Sequence, residues 1–445
     1  MGICISEQEG IVIEGYRILL LGGGGSGKST IMRQAQNQYG GRFTAEERAL
    51  AKKTMHQNVC SALIVCLEAL GNEQDELKSC NQQSSTEDEG KHKLEISQDK
   101  SGQLEDPGTP TKDLRNEVLQ RCKTYDAEGE LSEEMGRKIA KVWRDRKVRN
   151  ALKRNRQRIV ENAQFFLNKI EAITAQGYQC TDEDLFRVRM RTSGVVEKTL
   201  KVCGKQMTFI DVGGQWHERA SWAAEAKRCT HILFLTSLAD YDVSMEEDRS
   251  MNRLTDSLKL FNAIANDKTL KSLPIITFFN KIDVFMSKLA DDLSKSGNKL
   301  AESQPEYRNC ESQPEYRNCE VFADYKGADD AGELVDHIQR QFISLIKKKN
   351  LKRKIYSHIT CAVDSENMVK VLTSMMDSIL SDALEGGGLV VGDDPEEAQM
   401  ICKAIPHRFM LSKSGGTFVM SEEHAKLSRM ASRQEKALEE LMSSR

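Results

Sequence analysis

Leu20-Leu21-Gly22-Gly23-Gly24-Gly25-Ser26-Gly27-Lys28-Ser29-Thr30 follows a short apolar run and has the spacing G-x-x-x-x-G-K-[ST]. Glycines at these places let the backbone turn so that successive N–H groups face phosphate oxygens. Lys28 can then reach the terminal phosphates, and the Ser29 hydroxyl can ligate Mg²⁺. Gly25, Ser26, Gly27 and Thr30 complete the expected cradle. A helix from Ser29 onward adds the partial positive charge of its N-terminus. A flexible glycine turn would not bring a strand, a Lys-Ser-Thr and a helix together in this order. The stretch predicts a nucleoside triphosphate site at the start of an α/β fold.

At 445 residues the chain has room for about two or three domains, each with its own core. Its twelve cysteines include no C-x-x-C pair and no metal-ligand spacing, which predicts reduced thiols in a cytosolic compartment. A formal charge of −3 argues against wholesale nucleic-acid binding. Basic clusters at Lys147 to Arg158 and Lys347 to Lys354 read as solvated faces, with a lipid or partner role as the other reading. The most apolar stretch, Ala62 to Leu70, is short and broken by Glu68, so no transmembrane helix is expected. Met1-Gly2-Ile3-Cys4-Ile5-Ser6 fits the pattern for myristoylation of Gly2, with Cys4 beside it for palmitoylation. One acyl chain binds membranes marginally and two bind stably, so the adjacency makes physical sense.

Apolar and β-branched segments suited to buried parallel strands recur at Tyr16 to Leu21, Met207 to Ile210, His231 to Leu238, Pro274 to Phe279 and Tyr356 to Thr360. Helical patterns between them predict a doubly wound α/β domain with its chemistry at the carboxyl ends of the strands. From about Thr44 to Tyr178 the pattern is helical throughout, as for an inserted all-α domain. Its helices are expected at Thr54 to Leu70 and Arg137 to Ile173, with Trp143, Phe165, Phe166, Leu167 and Ile170 in the core. Gly71 to Lys112 is too polar to bury much and is expected to be disordered. Glu302 to Cys310 is repeated at once as Glu311 to Cys319, which reads as a duplicated loop without chemistry. Beyond Val390 the chain is polar, with a helical pattern at Ser421 to Met442.

A phosphate loop alone leaves ATPases, kinases and GTPases open. Asn280-Lys281-Ile282-Asp283, after an expected strand, decides for guanine. A carboxylate at Asp283 can accept the N1–H and the 2-amino group together, which adenine does not offer. Such a site rejects the wrong base on the order of 10⁴-fold. Asn280 would buttress the loop and Lys281 would lie along base and ribose. Asp211-Val212-Gly213-Gly214-Gln215 closes another strand. Asp211 can hold Mg²⁺ through a water, the Gly214 N–H can approach the γ-phosphate, and Gln215 can orient the attacking water.

These motifs together make the chain resemble a heterotrimeric G-protein alpha subunit over roughly Tyr16 to Val390. The most specific stretch is Asp184-Leu185-Phe186-Arg187-Val188-Arg189-Met190-Arg191-Thr192-Ser193-Gly194-Val195, similar to that family's first switch. The resemblance implies a Ras-like doubly wound GTPase domain at 16–43 and 179–390, an inserted all-α domain at 44–178, a short acylated segment at 1–15 and a C-terminal extension at 391–445. It implies Arg189 as the arginine stabilising the transition state, Thr192 as a second hydroxyl ligand of Mg²⁺ beside Ser29, and Arg187, Cys361 and Ala362 among the nucleotide contacts. The Ala362 N–H would meet the guanine carbonyl. The expected function is a switch that binds GTP or GDP with Mg²⁺ and hydrolyses GTP. It would sit at the cytoplasmic face of the plasma membrane, between a G-protein-coupled receptor or other exchange factor and an effector.

The chain departs from the family in four places. Gly25 stands where the family usually has a glutamate that pairs with the switch arginine, so faster nucleotide release is expected. Trp216 and His217 replace a basic and a small polar residue of the second switch. Only roughly fifteen residues precede the first strand, where the family has a long helix that docks on the beta-gamma dimer, so beta-gamma coupling is in doubt. Gly386-Gly387-Gly388-Leu389-Val390 resembles the receptor-read terminus, yet residues 391–445 follow it. The alternative function is a guanine-nucleotide-binding scaffold that does not hydrolyse GTP.

Overall fold

The structure is a computed structural model that describes residues 4–5, 12–13, 15–83, 110–125, 130–192, 194–202, 205–270, 273–302, 314–347 and 354–386. After a short antiparallel pair, β1 (Cys4–Ile5) and β2 (Val12–Ile13), come β3 (Tyr16–Gly22), β4 (Val195–Val202), β5 (Lys205–Val212), β6 (His231–Ser237), β7 (Ile275–Asn280) and β8 (Ile355–Ile359). The last six form one sheet in the order β4-β5-β3-β6-β7-β8, parallel except for β4.

Every residue of β6 and β7 is buried, as helices on both faces of a parallel sheet require. The period-two alternation of strands sorts the apolar side chains. Leu19 and Leu21 face one core with Phe234, Phe279 and Phe342, while Ile18 and Leu20 face the other with Phe209, Phe278 and Met375. Each fully buried Phe or Leu contributes roughly 2 to 3 kcal/mol from removed apolar surface. The register Leu20↔Asp211, Gly22↔Leu235 and Ser237↔Asn280 brings the carboxyl ends of four strands to one edge.

Strand β4 was not among the expected strands. Val-Val-Glu-Lys-Thr-Leu-Lys-Val carries charges at Glu197, Lys198 and Lys201 and buries only Leu200 and Val202, so it lacks the apolar run of a central strand. It pairs antiparallel with all of β5 at the sheet edge, where alternation is enough.

The helices are α1 (Lys28–Ala35), α2 (Ala45–Gln83), α3 (Lys112–Lys123), α4 (Glu133–Arg144), α5 (Arg146–Arg154), α6 (Ala163–Asn168), α7 (Ile170–Ile173), α8 (Asp182–Arg187), α9 (Trp222–Ala226), α10 (Arg253–Asn266), α11 (Ile282–Glu302), α12 (Ala331–Ser344) and α13 (Ser365–Gly386). From α2 to α8 they share a separate apolar core that includes Met55, Val59, Leu63, Val118, Ile139, Trp143 and Phe166. Helix α2 starts on a reciprocal cap: Glu47 N–H donates to Thr44 Oγ1 at 3.2 Å, and Thr44 N–H to Glu47 Oε2 at 2.9 Å.

Other details differ from expectation. Helix α2 continues through Gln83, so the first part of the segment expected to be disordered is helical backbone; 84–109 lie outside the described residues. Arg137 to Ile173 is four short helices and a 3₁₀ turn, broken at Asp145, Asn155 and Lys169. Phe165 is only half-buried, its ring lying 4.6 Å from the Arg187 guanidinium. Of the duplicated nonapeptide, the second copy puts Tyr316 into the core beside Phe322, while 303–310 lie outside the described residues. The tail 391–445 lies outside them too, as do Gly2 and the side chain of Cys4.

Candidate functional site

The phosphate loop bridges β3 and α1. Gly27 closes it at φ 108°, and a Cβ there would lie 2.2 Å from Asn280 Nδ2. Only glycine admits that approach. Asn280 uses it as a clamp: its Nδ2 donates to the Ser26 carbonyl at 2.9 Å, and its Oδ1 accepts from Thr360 Oγ1 and from the Ala362 N–H, each at 3.0 Å. The expected buttress is therefore also a tie to the loop after β8. Ala362 departs from expectation. Its N–H is already donated to Asn280, so it reaches a guanine carbonyl only by sharing that bond.

Asp283 opens α11 with its carboxylate exposed on the same cleft wall as Asn280, Lys281 and Ala362. Cys361 lies beside Asp283, and burial, then the neighbouring carboxylate, pushes its thiol up to about 12. Lys281 has a left-handed backbone, φ 64°, and its ammonium meets Glu161 from the helical region at 2.6 Å.

Lys28 Nζ donates to the carbonyls of Gly22 and Gly23 at 2.8 and 3.0 Å. Burial pulls its pKa down to about 8; Asp211 and Glu218 oppose the shift and Arg219 adds to it. Gly214 presses on this ammonium: a Cβ there would lie 2.5 Å from Nζ and 2.7 Å from the Gly22 carbonyl. The second switch thus brings the Gly214 backbone directly against the phosphate loop. Arg219 holds that arrangement, donating to the Gly214 carbonyl at 3.1 Å and gripping Asp256 of α10 with both nitrogens, at 3.1 and 2.7 Å.

Three oxygens from three elements converge beside Lys28. Ser29 Oγ lies 2.6 Å from both Thr192 Oγ1 and Asp211 Oδ2, and Thr192 Oγ1 lies 3.1 Å from Asp211 Oδ2. Asp211 is fully buried, and its other oxygen has no protein partner. Two hydroxyls and a carboxylate with an unpaired buried oxygen are hard donors that fit Mg²⁺ rather than a softer metal.

Gln215 reaches the loop, its Cγ lying 3.7 Å from a Cβ placed on Gly24, whereas Trp216 and His217 point to solvent. Arg189 overhangs Gly25, with Cζ 4.0 Å from a Cβ placed there. Gly25 offers it no partner, yet the arginine is paired: Nη2 meets Glu246 Oε1 at 2.9 Å. Arg187 bonds to Glu183 at 2.9 Å and stacks on Phe165, so its guanidinium belongs to the cleft wall. Thr30 Oγ1 donates to the Phe186 carbonyl at 3.3 Å. The sequence reading gave no role to Glu246, to Arg253, or to Arg33, which donates to the Leu185 and Val188 carbonyls and so fixes the approach to the first switch.

Helices α2, α3, α5 and α6, with the turn at 156–158, roof the other side of a cleft of about 1550 Å³. Asn58 and Asn162 donate to the carbonyls of Arg189 and Arg187 at 3.3 and 2.7 Å. Arg156 pairs with Asp242 at 2.9 Å and Asp292 at 3.5 Å.

A parallel sheet that ends in a glycine cradle, with Asn280 clamping that cradle from the next strand but one, defines a phosphate-loop nucleotide-binding protein. The model of the G-protein alpha subunit family matches residues 5–379. The chain is 30% identical to guanine nucleotide-binding protein G(o) subunit alpha of Locusta migratoria over 374 residues, 84% of this chain and 90% of that protein. It is 30% identical to the alpha-2 subunit of Dictyostelium discoideum, covering 87% of this chain and 99% of the relative. To the alpha-7 subunit of Caenorhabditis elegans it is 28% identical, over 86% and 94%.

The chain belongs to the G-protein alpha subunit family. It is a guanine-nucleotide-binding signal transducer and a GTPase that uses GTP, GDP and Mg²⁺. The family works with receptors, effectors and beta-gamma and associates peripherally with membranes. Among the described residues no helix is long and apolar enough to cross a membrane.

Proposed function

We propose that Lys28, Ser29, Arg189, Thr192 and Gln215 carry the GTP hydrolysis of this switch. The observation that supports it most directly is the convergence of Ser29, Thr192 and Asp211 oxygens beside Lys28. Water attacks the γ-phosphorus in line as the bond to the β–γ bridging oxygen breaks, and charge collects on the bridging and γ oxygens. Gln215 orients the water. The Arg189 guanidinium and the Lys28 ammonium stabilise that charge where the roof of helices excludes solvent, a logic of phosphoryl transfer for which alpha subunits are themselves a source case. Ser29 and Thr192, with Asp211 beside them, would hold Mg²⁺, which would supply Lewis-acid stabilisation of the phosphate oxygens. Loss of the γ-phosphate would remove what holds Thr192 and Gly214 and relax both switches.

The separate cores support a GTPase domain, 16–43 and 179–390, and a helical insertion, 44–178, with Phe43, Cys180, Leu185, Phe186 and Val188 packing across those bounds into the helical core. Acylation of Gly2 and Cys4 would hold the chain at the cytoplasmic face of the plasma membrane, where a receptor or other exchange factor loads GTP and an effector reads it.

Single-turnover hydrolysis of bound GTP tests the chemistry. Gln215→Leu and Arg189→Cys are each expected to slow it on the order of 10²-fold or more while leaving GTP affinity intact. Unchanged hydrolysis in both variants would refute the roles. Tight binding without hydrolysis in the wild type would favour the scaffold alternative.

A further inference from the structure

We infer that Glu246 is the positioning residue of the switch arginine, supplying from the segment after β6 the carboxylate that the phosphate loop lacks at Gly25. This rests on the reading of Arg189 as the transition-state arginine. Glu246 gathers three guanidiniums: Arg189 Nη2 at 2.9 Å and Arg253 Nη2 at 3.1 Å share Oε1, and Arg191 Nη2 takes Oε2 at 2.9 Å. They contribute unequally. Arg191 is 70% exposed, so solvent screens its pair, whereas Arg253 is 16% exposed and stands at the start of α10.

The segment carrying Glu246 is itself held. Met245 N–H donates to the Met251 carbonyl at 2.9 Å, Arg253 N–H to the Val243 carbonyl at 2.8 Å, and Asn252 Nδ2 to the Tyr241 carbonyl at 2.7 Å. A carboxylate carried on a held segment therefore fixes the Arg189 guanidinium by an ion pair. It holds it in the right place: Arg189, Glu246 and Arg253 line a narrow chamber with Gly23, Gly24 and Gln215. A Cβ on Gly25 would lie 3.6 Å from Arg253 Nη1 and 4.0 Å from Arg189 Cζ, so both guanidiniums occupy the space above the bare phosphate loop. Without Glu246, three like charges would crowd one spot and repel. Burial works to raise the Glu246 pKa, but the charges of Arg189, Arg253 and Arg191 outweigh it and leave it below the ordinary range, so the carboxylate stays ionised.

A double-mutant cycle on the full chain tests this, with single-turnover hydrolysis of GTP at saturating Mg²⁺ as the readout and GTP affinity as the folding control. Glu246→Gln is expected to slow hydrolysis about tenfold with affinity little changed, and to slow it no further in the Arg189→Cys background, because a residue acting through another has no effect once that one is gone. Hydrolysis by Glu246→Gln within about twofold of wild type, or the same slowing in both backgrounds, would overturn the inference. If Arg189→Cys itself hydrolyses GTP normally, the reading of Arg189 fails and this inference fails with it. Dependence on Arg189 with indifference to Glu246 overturns this inference alone.

Discussion

Lys28 rests on two backbone carbonyls and has an ammonium pKa near 8, pulled down first by burial. A phosphate oxygen favours the charged form, so above pH 8 nucleotide binding must take up a proton. Affinity for GDP is expected to hold from pH 7 to 8 and then fall, by up to about tenfold by pH 9. Titration with a fluorescent GDP analogue over that window checks the sign, and a flat profile would mean that the amine is already charged in the free protein. The same residue shows what a sequence makes legible. Lys28, Ser29 and Asn280 belong to short motifs whose function depends on neighbours along the chain. Glu246 could not be found that way, because its partners lie at 189, 191 and 253 and no spacing joins them.

At the scale of elements, the 3₁₀ turn Arg156–Arg158 after α5 closes the cleft. Arg156 spans to Asp242 after β6 and Asp292 on α11, and Lys288 of α11 reaches the same Asp242 at 2.5 Å. Removing the guanidinium leaves two carboxylates with less compensation and unties the helical roof from the sheet. A charged hydrogen bond of this kind contributes about 1.5 to 3 kcal/mol, so Arg156→Ala is expected to speed GDP release roughly tenfold or more. Dissociation of labelled GDP measures it; an unchanged rate would mean that the other ties, Lys281 to Glu161 and Asn58 and Asn162 to the Arg189 and Arg187 carbonyls, set the closure. The central strands β3, β5, β6 and β7 were readable as apolar runs because both faces are buried. Strand β4 was not, because at the edge its pattern is also that of a polar loop. The break between α4 and α5 was missed although the sequence carries its signal, Asp145, which caps α5 by accepting from the Lys147 N–H at 2.8 Å.

For the whole molecule, function as a switch requires that the chain stay at the surface where its partners are. Two acyl chains give stable anchoring and one gives marginal binding. Gly2→Ala is therefore expected to move the protein from the membrane to the soluble fraction, measured by fractionation of cells expressing the full chain. Persistent membrane association would instead assign the anchoring to the basic clusters or the tail. The sequence by itself determined the fold class and the guanine nucleotide, because each is written in local spacing or in a composition that only one burial pattern satisfies. The tertiary structure alone decided that Asn280 ties two loops together, that Gly214 crowds the phosphate lysine, and that Glu246 gathers three arginines over Gly25. Apart from Glu246 with Arg253, these contacts join residues dozens to hundreds apart, and their geometry exists only once the strand ends have been brought to one edge of the sheet.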